Sequence, residues 1–434
     1  MLQVDFIKEN FSKVIDSLKK RNKDYSSDLK KIIDFNENRK NQQTKLDALL
    51  SEVNNLSKQI GELFKNGKVE EANELKKSVE KIKPEVKLLQ DLLNSNNEDL
   101  QELLCSIPNI PNELVKKGTS EEDNEIIFES TFKISDEKLK EHWDICEEYN
   151  IVDFELGNKV TGSGFPVYKG KGAALQRALI NYFLDKNTSS GYTEVQPPIL
   201  VNEDSAFATG QLPDKEGQMY HISNDNLYLI PTAEVPITNF YRDSIINSSD
   251  LPIKLTGYTP CFRREAGSYG KDVRGLNRLH QFDKVEIVRI EKPEDSYKVL
   301  DEMVEHVKNI LEELELPFRI LRLCGGDLGF TSALTYDFEV YSMAQKKWLE
   351  VSSVSNFENY QSNRLKLRIK LNEKDKVLAH TLNGSALALP RIVASIIENN
   401  QTENGITIPK VLHKYTGFKT INWSSIIFIN FEFN

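Results

Sequence analysis

The chain has 434 residues, enough for two or three domains around a large buried core. Its formal net charge of −10 excludes a protein that is basic overall, although a local basic face could still bind nucleic acid. The apolar stretches are too short to span a membrane, and the four cysteines lie far apart without a C-x-x-C pair. We therefore expect no disulfide framework, no cysteine zinc site and, because the N-terminus does not resemble a secretory signal, a cytoplasmic location.

Two apolar repeats between about residues 32 and 104 predict a pair of long helices. In each repeat, apolar residues recur at alternating steps of three and four. They are Leu46, Leu49, Val53, Leu56, Ile60 and Leu63, and then Ala72, Leu75, Val79, Ile82, Val86, Leu89 and Leu93. A turn at Asn66-Gly67-Lys68 folds the helices into an antiparallel coiled-coil hairpin, in which we expect Pro84 to kink or weaken the second helix. The residues alone favour an oligomerisation role for this hairpin.

After the hairpin, prolines and a glycine predict a linker over residues 108–118, followed by a second domain over residues 119–417. Residues 172–184 have helical spacing, and residues 191–201 are interpreted as a strand that begins at a glycine. The preceding Lys-Gly-Lys-Gly lacks the spacing of a phosphate-binding P-loop and is interpreted as the start of that helix. No Rossmann fingerprint follows a strand, which disfavours a doubly wound sheet.

The most informative segment runs from Cys261 to Glu286. Apolar residues on both sides predict a hairpin with strands over 255–262 and 282–290. The charged residues of the segment include Arg263, Glu265, Lys271, Arg274, Arg278, Lys284 and Glu286. Several guanidinium groups near one spot suit a polyphosphate, and Phe282 beside them offers a surface on which a base can stack. The alternative is a charged hairpin exposed to water.

This segment, CFRREAGSYGKDVRGLNRLHQFDKVE, resembles the second signature motif of class II aminoacyl-tRNA synthetases, in the form found in seryl-tRNA synthetases. Three further stretches fit that family in order and spacing. They are PTAE at 231–234, EVSSVSN at 350–356, and HTLNGS from His380 running on to Arg391. The resemblance covers the chain from the first helix to about Gly417. It implies an α+β fold, with a long antiparallel α-helical coiled-coil arm followed by a class II catalytic domain on an antiparallel β-sheet flanked by helices.

The resemblance also implies a function. The family uses ATP to convert L-serine to seryl-adenylate, and then transfers serine to the 3′ end of tRNA(Ser), with tRNA(Sec) as a further candidate. Residues 1–107 would be the tRNA-binding domain, whose arm offers eight lysines to phosphates. These are Lys58, Lys65, Lys68, Lys76, Lys77, Lys81, Lys83 and Lys87. The helix–glycine–strand–proline pattern after residue 172 resembles the first class II motif, which implies a homodimer.

Adenylate formation needs positioning and charge neutralisation more than proton transfer, because the serine carboxylate is already a nucleophile. By resemblance, the catalytic residues are Arg263, Arg391 and Glu350. The ATP-binding set is Arg263, Arg264, Glu265, Arg278, Phe282, Glu350, Val351, Ser352, Ser353 and Arg391. Glu350 and Ser353 would hold Mg²⁺ through hard oxygen ligands. The serine-binding set is Thr232, Ala233, Glu234, Arg263, Glu286, Asn383 and Ser385, with Glu234 near the ammonium and Glu286 near the hydroxyl.

Three positions depart from the family pattern. Ala386 and Pro390 stand where glycine is common, and Arg264 takes a position that is usually serine. The tail 418–434 alternates apolar residues, which predicts either a strand added to the domain or an aggregation-prone segment, without an assignable role.

Two rival functions remain open at the level of sequence. A synthetase-like ligase that charges a carrier protein would not need the arm at 32–104. A non-enzymatic coiled-coil protein with an inactive synthetase domain would not need to retain the motif arginines and glutamates.

Overall fold

The computed structural model describes residues 1–133, 138–214, 217–265 and 274–422 and divides into two compact units. The first unit contains Met1–Lys19 and Lys23–Pro108, and the second contains Lys20–Asn22 and the chain from Asn109 onward. Two sequence predictions lie outside the described residues: the placement of Lys271 in the charged hairpin, and the strand predicted in the tail beyond residue 422.

The first unit is helical. Its helices are α1 (Val4–Glu9), α2 (Phe11–Leu18), α3 (Ser26–Lys65) and α4 (Val69–Ser106). The turn between α3 and α4 places Gly67 at φ +75°, a conformation that glycine adopts without steric cost. Every apolar residue of the two predicted repeats is buried or half-buried, which confirms the long helical arm. Helix α4 continues through Pro84 without a break.

A buried polar layer lies near the base of the arm. Asn36 and Asn96 are both buried in the seam between α3 and α4, and the Asn96 side-chain amide donates to the Phe35 carbonyl at 3.0 Å. Because a buried amide must keep its hydrogen-bond partner, this layer favours one register of the two helices over neighbouring registers.

The second unit combines short and long helices with a large sheet. Its α-helices are α5 (His142–Glu148), α6 (Phe154–Val160), α7 (Gly170–Ser189), α8 (Glu203–Thr209), α9 (Glu234–Asn239), α10 (Ser296–Glu313), α11 (Tyr360–Leu365), α12 (Leu389–Asn399) and α13 (His413–Thr416). Helix α7 begins at Gly170, as the sequence predicts. Helix α12 begins at Leu389, so Pro390 occupies its first turn, where a missing N–H costs nothing.

The strands of the second unit follow in chain order. They are β1 (Glu125–Glu129), β2 (Val152–Asp153), β3 (Val167–Tyr168), β4 (Thr193–Glu194), β5 (Leu200–Asn202), β6 (Tyr220–Ile222), β7 (Leu227–Leu229), β8 (Ile245–Asn247), β9 (Ile253–Phe262), β10 (Gln281–Glu291), β11 (Phe318–Arg322), β12 (Leu334–Ser342), β13 (Lys347–Asn356), β14 (Arg368–Lys370), β15 (Lys376–Leu378), β16 (His380–Ala388), β17 (Gln401–Thr402), β18 (Gly405–Thr407) and β19 (Thr420–Ile421).

Within the described ranges, eight strands form the central sheet in the order β1-β11-β12-β13-β16-β10-β9-β4. Neighbouring strands are antiparallel except β4, which runs parallel to β9 at the edge. The predicted hairpin is therefore present as β9 and β10, paired from Phe262 opposite Gln281 to Ile253 opposite Ile290.

Side chains alternate between the two faces of this sheet, as the two-residue period of a strand requires. One face is apolar: Val285 and Ile287 of β10, Leu382 of β16 and Phe338 of β12 all belong to the main core, which helices α7, α10 and α12 cover. The opposite face is polar and faces a cavity. Its side chains include Lys284 and Glu286 of β10, Asn383 and Ser385 of β16, and Ser353 and Ser355 of β13.

One predicted strand is wrong as a single element. Residues 191–201 form two short strands, β4 and β5, which belong to different sheets. Pro197 and Pro198 lie between them and have no N–H with which to continue a ladder, so the chain leaves the central sheet there.

The four cysteines are free and buried. None of the helices in the described part of the chain is long and apolar enough to cross a bilayer.

Candidate active site

A cavity of about 490 Å³ lies over the polar face of the central sheet, a volume typical of small-molecule sites. Most of the predicted site residues line it. They are Thr232, Glu234, Arg263, Glu265, Arg278, Phe282, Glu350, Val351, Ser352, Ser353, Asn383, Ser385 and Arg391. All four segments that carry the resemblance therefore meet here, as it implies.

Three predicted residues do not line the cavity. Ala233 is fully buried in an apolar cluster, so only its backbone could meet a ligand. Arg264 is exposed, and its backbone N–H donates to the Gln218 carbonyl at 2.9 Å. Glu286 is fully buried behind the lining side chains and acts on the cavity through them.

Glu286 organises one half of the cavity. Its carboxylate accepts hydrogen bonds from the Thr232 hydroxyl at 3.2 Å and from the Asn383 amide at 3.0 Å, and it pairs with the Lys284 ammonium at 2.8 Å. The Lys284 ammonium also donates to the Thr232 hydroxyl at 3.0 Å. Burial raises the pKa of Glu286, while Lys284 opposes that shift. This half therefore presents fixed hydroxyl, amide and ammonium groups around one carboxylate.

Glu234, at the start of α9, is a second buried carboxylate in the same half. The Gln361 side-chain amide donates to it at 2.6 Å. Burial, and after it the nearby charge of Glu286, raise the pKa of Glu234 to about 7. A carboxyl group with that pKa is only partly ionised near neutral pH, and an added cation would favour its charged form.

Three guanidinium groups occupy the other half. The Arg263 guanidinium lies over the Phe282 ring, 5.2 Å from its centroid. The Arg278 Nε donates to Glu265, which adopts φ +48°. Arg391 donates from Nε to the Asn277 carbonyl at 2.9 Å and from Nη1 to the Glu350 carbonyl at 2.6 Å. These groups come from the residue after β9, from the segment before β10 and from α12, and all face one space, which suits several phosphates.

A β-bulge brings Glu350 and Ser353 to the same face of β13. Residues three apart on a regular strand point to opposite faces. Here Ser353 pairs with Asp337, whereas Glu350 pairs with Glu339, two residues further along β12, so one residue of β13 is extra. The irregularity lets both predicted metal ligands point into the cavity.

Asp337 adds a buried acid beside this pair. Burial, and then the Glu350 charge, raise its pKa well above the usual range of an aspartate. Among the described side chains its Oδ1 has no hydrogen-bond partner. The described residues hold no group of three or more histidine, cysteine or acidic side chains that could bind a metal by themselves. Mg²⁺ commonly binds through one or two protein oxygens together with substrate phosphates and water, so Glu350 and Ser353 would suffice as its protein ligands.

Sequence reasoning missed several residues. Lys284 is named among the charged residues of the segment but not among the predicted site residues, although the two-residue period of the strand places it on the same face as Glu286. Gln361, which holds Glu234, comes from a segment without a motif. Asn277, which holds Arg391, lies inside the motif that begins at Cys261, but no sequence signal gave it a role. Of the departures from the family pattern, Ala386 is buried in the core, whereas Pro390 lines the cavity.

Family profiles match both units. The profile of the seryl-tRNA synthetase N-terminal domain matches residues 1–111, and that of the tRNA synthetase class II core domain (G, H, P, S and T) matches residues 219–400. The serine–tRNA ligase of Salinibacter ruber is 48% identical over 426 residues, which are 97% of this chain and 99% of the relative. That of Nautilia profundicola is 47% identical over 417 residues, 96% of this chain and 100% of the relative.

Solved structures agree with the sequence matches. The seryl-tRNA synthetase of Pyrococcus horikoshii complexed with ATP superposes with a TM-score of 0.87 and 32% identity, over 97% of this chain and 99% of the other. The cytoplasmic serine-tRNA ligase of Naegleria fowleri in complex with AMP superposes with a TM-score of 0.84 and 27% identity, over 98% of this chain and 99% of the other. The similarity thus extends over nearly the full length of each relative.

Proposed function

The chain belongs to the seryl-tRNA synthetase family, and we propose that the cavity over its central sheet is the site where it joins L-serine to ATP. As a class II serine–tRNA ligase, it forms seryl-adenylate and transfers serine to the 3′ end of tRNA. A carrier-protein ligase is disfavoured because residues 1–111 match the seryl N-terminal domain.

One observation supports this site above the others: a single cavity holds a buried carboxylate network on one side and three guanidinium groups on the other. The first suits a small zwitterion with a hydroxyl, and the second suits a triphosphate. Serine-dependent exchange of pyrophosphate into ATP tests the proposal, because only an enzyme that forms the adenylate reversibly catalyses it. A purified protein without exchange would mean an inactive synthetase domain.

The carboxylate half is proposed to bind serine. Ionised Glu234 receives the ammonium, while Glu286, through Thr232, Asn383 and Ser385, surrounds the hydroxyl. Lys284 balances the buried charge of Glu286. Binding alanine would leave these buried polar groups without a partner, so the arrangement favours serine. Ala233 contributes backbone groups alone.

The guanidinium half is proposed to bind ATP. Phe282 offers its ring to adenine, and Glu265 accepts from the adenine amino group. Arg263 leaves its place over the Phe282 ring to bridge the α-phosphate and the serine carboxylate. Arg278 and Arg391 hold the outer phosphates, and the backbone of residues 351–353 borders them. Arg264 remains in the set through its backbone, because its side chain lies outside the cavity.

The oxygen donors beside the phosphate half fit Mg²⁺. Glu350 and Ser353 point into the cavity together, and the unpartnered oxygen of Asp337 lies on the adjacent strand. Mg²⁺ commonly binds through one or two protein oxygens plus substrate phosphates. When bound here, it would neutralise phosphate charge as pyrophosphate departs.

Replacing Glu350 with glutamine is expected to lower pyrophosphate exchange by about 10²–10³-fold, because charge stabilisation in the transition state is lost. The Mg²⁺ concentration for half-maximal rate should rise in the same variant, whereas serine affinity should change little. The control is Glu129→Gln, an exposed glutamate on edge strand β1. Exchange at the wild-type rate in Glu350→Gln would place the metal elsewhere.

The pKa of Glu234 predicts a pH dependence of serine use. With a pKa of about 7, roughly nine-tenths of the group is protonated at about pH 6 and roughly one-tenth at about pH 8. Serine brings an ammonium, which binds the ionised form, so KM for serine should fall about tenfold between these values. Glu286, Lys284 and Arg263 face the same group and contribute to its pKa. Glu234→Gln should bind serine weakly and without this slope; a slope that survives the substitution would assign it to another group.

Glu234 also makes the stability of the fold depend on pH, in the opposite direction to its effect on serine binding. Because its folded pKa lies above the unfolded value, protonated Glu234 stabilises the fold at low pH. That contribution declines as pH rises from the unfolded pKa toward about 7.

We also propose the wider biology that the family implies. The arm binds tRNA(Ser) through its lysines, the enzyme is a homodimer, and it acts in the cytoplasm, where buried free thiols stay reduced. Light scattering after gel filtration tests the dimer. Charging of tRNA(Sec) remains a prediction, which aminoacylation with that tRNA tests.

A further inference from the structure

A buried network lies behind the phosphate half of the cavity. His142 begins α5, Glu398 lies near the end of α12, and both are fully buried. Glu398 accepts from the His142 backbone N–H at 2.8 Å, from His142 Nδ1 at 2.6 Å and from the Gln345 amide at 2.8 Å, while its other oxygen accepts from the Ser342 hydroxyl. Four donors thus reach one buried carboxylate, three of them at the same oxygen.

These contacts also define the state of the His142 ring. Its Nε2 accepts the Leu276 backbone N–H at 2.8 Å, so Nε2 carries no proton. Its Nδ1 faces the acceptor-only carboxylate of Glu398 and therefore donates. His142 is a neutral imidazole that links α12 to the backbone of the segment returning to β10.

The network reaches the phosphate site by two routes. Leu276 is two residues before Arg278, so the bond from its N–H holds the backbone that carries this arginine. The Asn277 side chain donates to Gln345 at 2.9 Å, and the Asn277 carbonyl accepts from Arg391 at 2.9 Å. Of the three guanidinium groups in the cavity, that of Arg391 is thus bonded to a residue that contacts the network, and that of Arg278 belongs to the residue that follows Asn277.

The segment before Leu276 is also shaped to fit α5. A Cβ at Gly275, which has φ +68°, would lie 2.2 Å from His142 Nε2, so no larger residue fits while the ring is there. The Arg274 guanidinium lies 4.7 Å from the centroid of the Trp143 ring. Three consecutive residues therefore contact the first turn of α5, independently of the bonds made by Glu398.

We propose that His142 is a positioning residue for ATP: through Leu276 and Asn277 it places Arg278 and Arg391 where the outer phosphates bind. The role rests on the proposed function of the cavity, although His142 itself touches no substrate. The neutral ring supplies what the site needs, a fixed acceptor for one backbone N–H and a donor for a buried carboxylate.

Two substitutions at His142 separate its two hydrogen bonds. His142→Asn keeps a donor near Glu398 but leaves the buried Leu276 N–H without an acceptor, so KM for ATP should rise about tenfold. His142→Gln places an oxygen near the former Nε2 and should recover most of the affinity. KM for serine should stay within about twofold of wild type in both, because the serine half lies outside the network.

The control is His306→Gln, which removes a half-buried histidine bonded to Asn187 at 2.7 Å. It should lower the melting temperature without changing KM for ATP. If His142→Asn does not fold, Gln345→Ala cuts the half-buried link between Asn277 and Glu398 and should raise KM for ATP about threefold. Calorimetric titration with ATP in the absence of serine measures the same effect, even if the wild type shows no pyrophosphate exchange.

Wild-type ATP affinity in His142→Asn would overturn the proposal. So would equal losses in the Asn and Gln variants, or a parallel rise of KM for serine and ATP, since each would mean a general loss of packing. An equal loss of ATP affinity in His306→Gln would likewise mean a general loss of packing. A wild-type protein that binds ATP but lacks serine-dependent exchange would refute the proposed function and leave the His142 role to the calorimetric result.

Discussion

Glu286→Gln is expected to lower serine-dependent exchange by about 10²-fold or more, while ATP affinity stays close to wild type. The amide that replaces the carboxylate turns one acceptor into a donor, which would face the Asn383 amide or the Lys284 ammonium. Lys284 also loses the counter-charge that it holds at 2.8 Å. Exchange measured against serine concentration at saturating ATP gives the first quantity, and calorimetry with ATP gives the second.

The chain offers a matched control on the same strand. Glu291 is buried and ion-paired with Arg289 at 2.6 Å, but it lies at the end of β10 away from the cavity. Glu291→Gln should lower the melting temperature, because it too removes a buried pair, and should leave KM for serine unchanged. If Glu286→Gln keeps its serine dependence but loses ATP affinity, Glu286 belongs to the nucleotide half and the proposed serine pocket is wrong.

Truncation of the arm should separate the two reactions of the enzyme. Deleting residues 47–85 and joining Leu46 to Val86 through about four glycine and serine residues keeps the buried Asn36 and Asn96 layer at the base. Serine-dependent exchange should stay within about twofold of wild type, because the cavity lies in the second unit. Transfer to tRNA(Ser) should fall steeply through a higher KM for tRNA, since seven of the eight lysines proposed to contact phosphates are lost.

Charge variants of the full-length arm test whether the lysines are responsible. Replacing Lys76, Lys77, Lys81 and Lys83 with glutamine should raise KM for tRNA. The slope of the logarithm of the tRNA binding constant against the logarithm of salt concentration should become less steep by about 0.9 for each phosphate contact removed. All four are exposed on α4. The control replaces Glu70, Glu74, Glu80 and Glu85, which are exposed on the same helix, with glutamine, and it should not weaken tRNA binding. Unchanged tRNA charging by the truncated enzyme would instead favour an oligomerisation role for the arm.

The sequence by itself determined those features that depend on the spacing of apolar and polar residues within one segment. The helical arm follows from steps of three and four residues, because a helix brings such residues to one side. The polar face of β10 follows from the two-residue period of a strand, which places Phe282, Lys284 and Glu286 together. The motif resemblance indicated which segments meet, and all but three of the predicted residues line one cavity.

The tertiary structure decided what depends on contacts between distant segments. Glu350 and Ser353 share a face only because β13 bulges against β12, and a strand's own period would separate them. Gln361 bonds Glu234, Asn277 bonds Arg391, and His142 bonds the backbone of Leu276. Each partner lies more than a hundred residues away in sequence, so no local pattern predicts these contacts. Local periods are properties of one segment, whereas a bulge, a buried acceptor or a supporting amide exists only relative to the strand or helix packed against it.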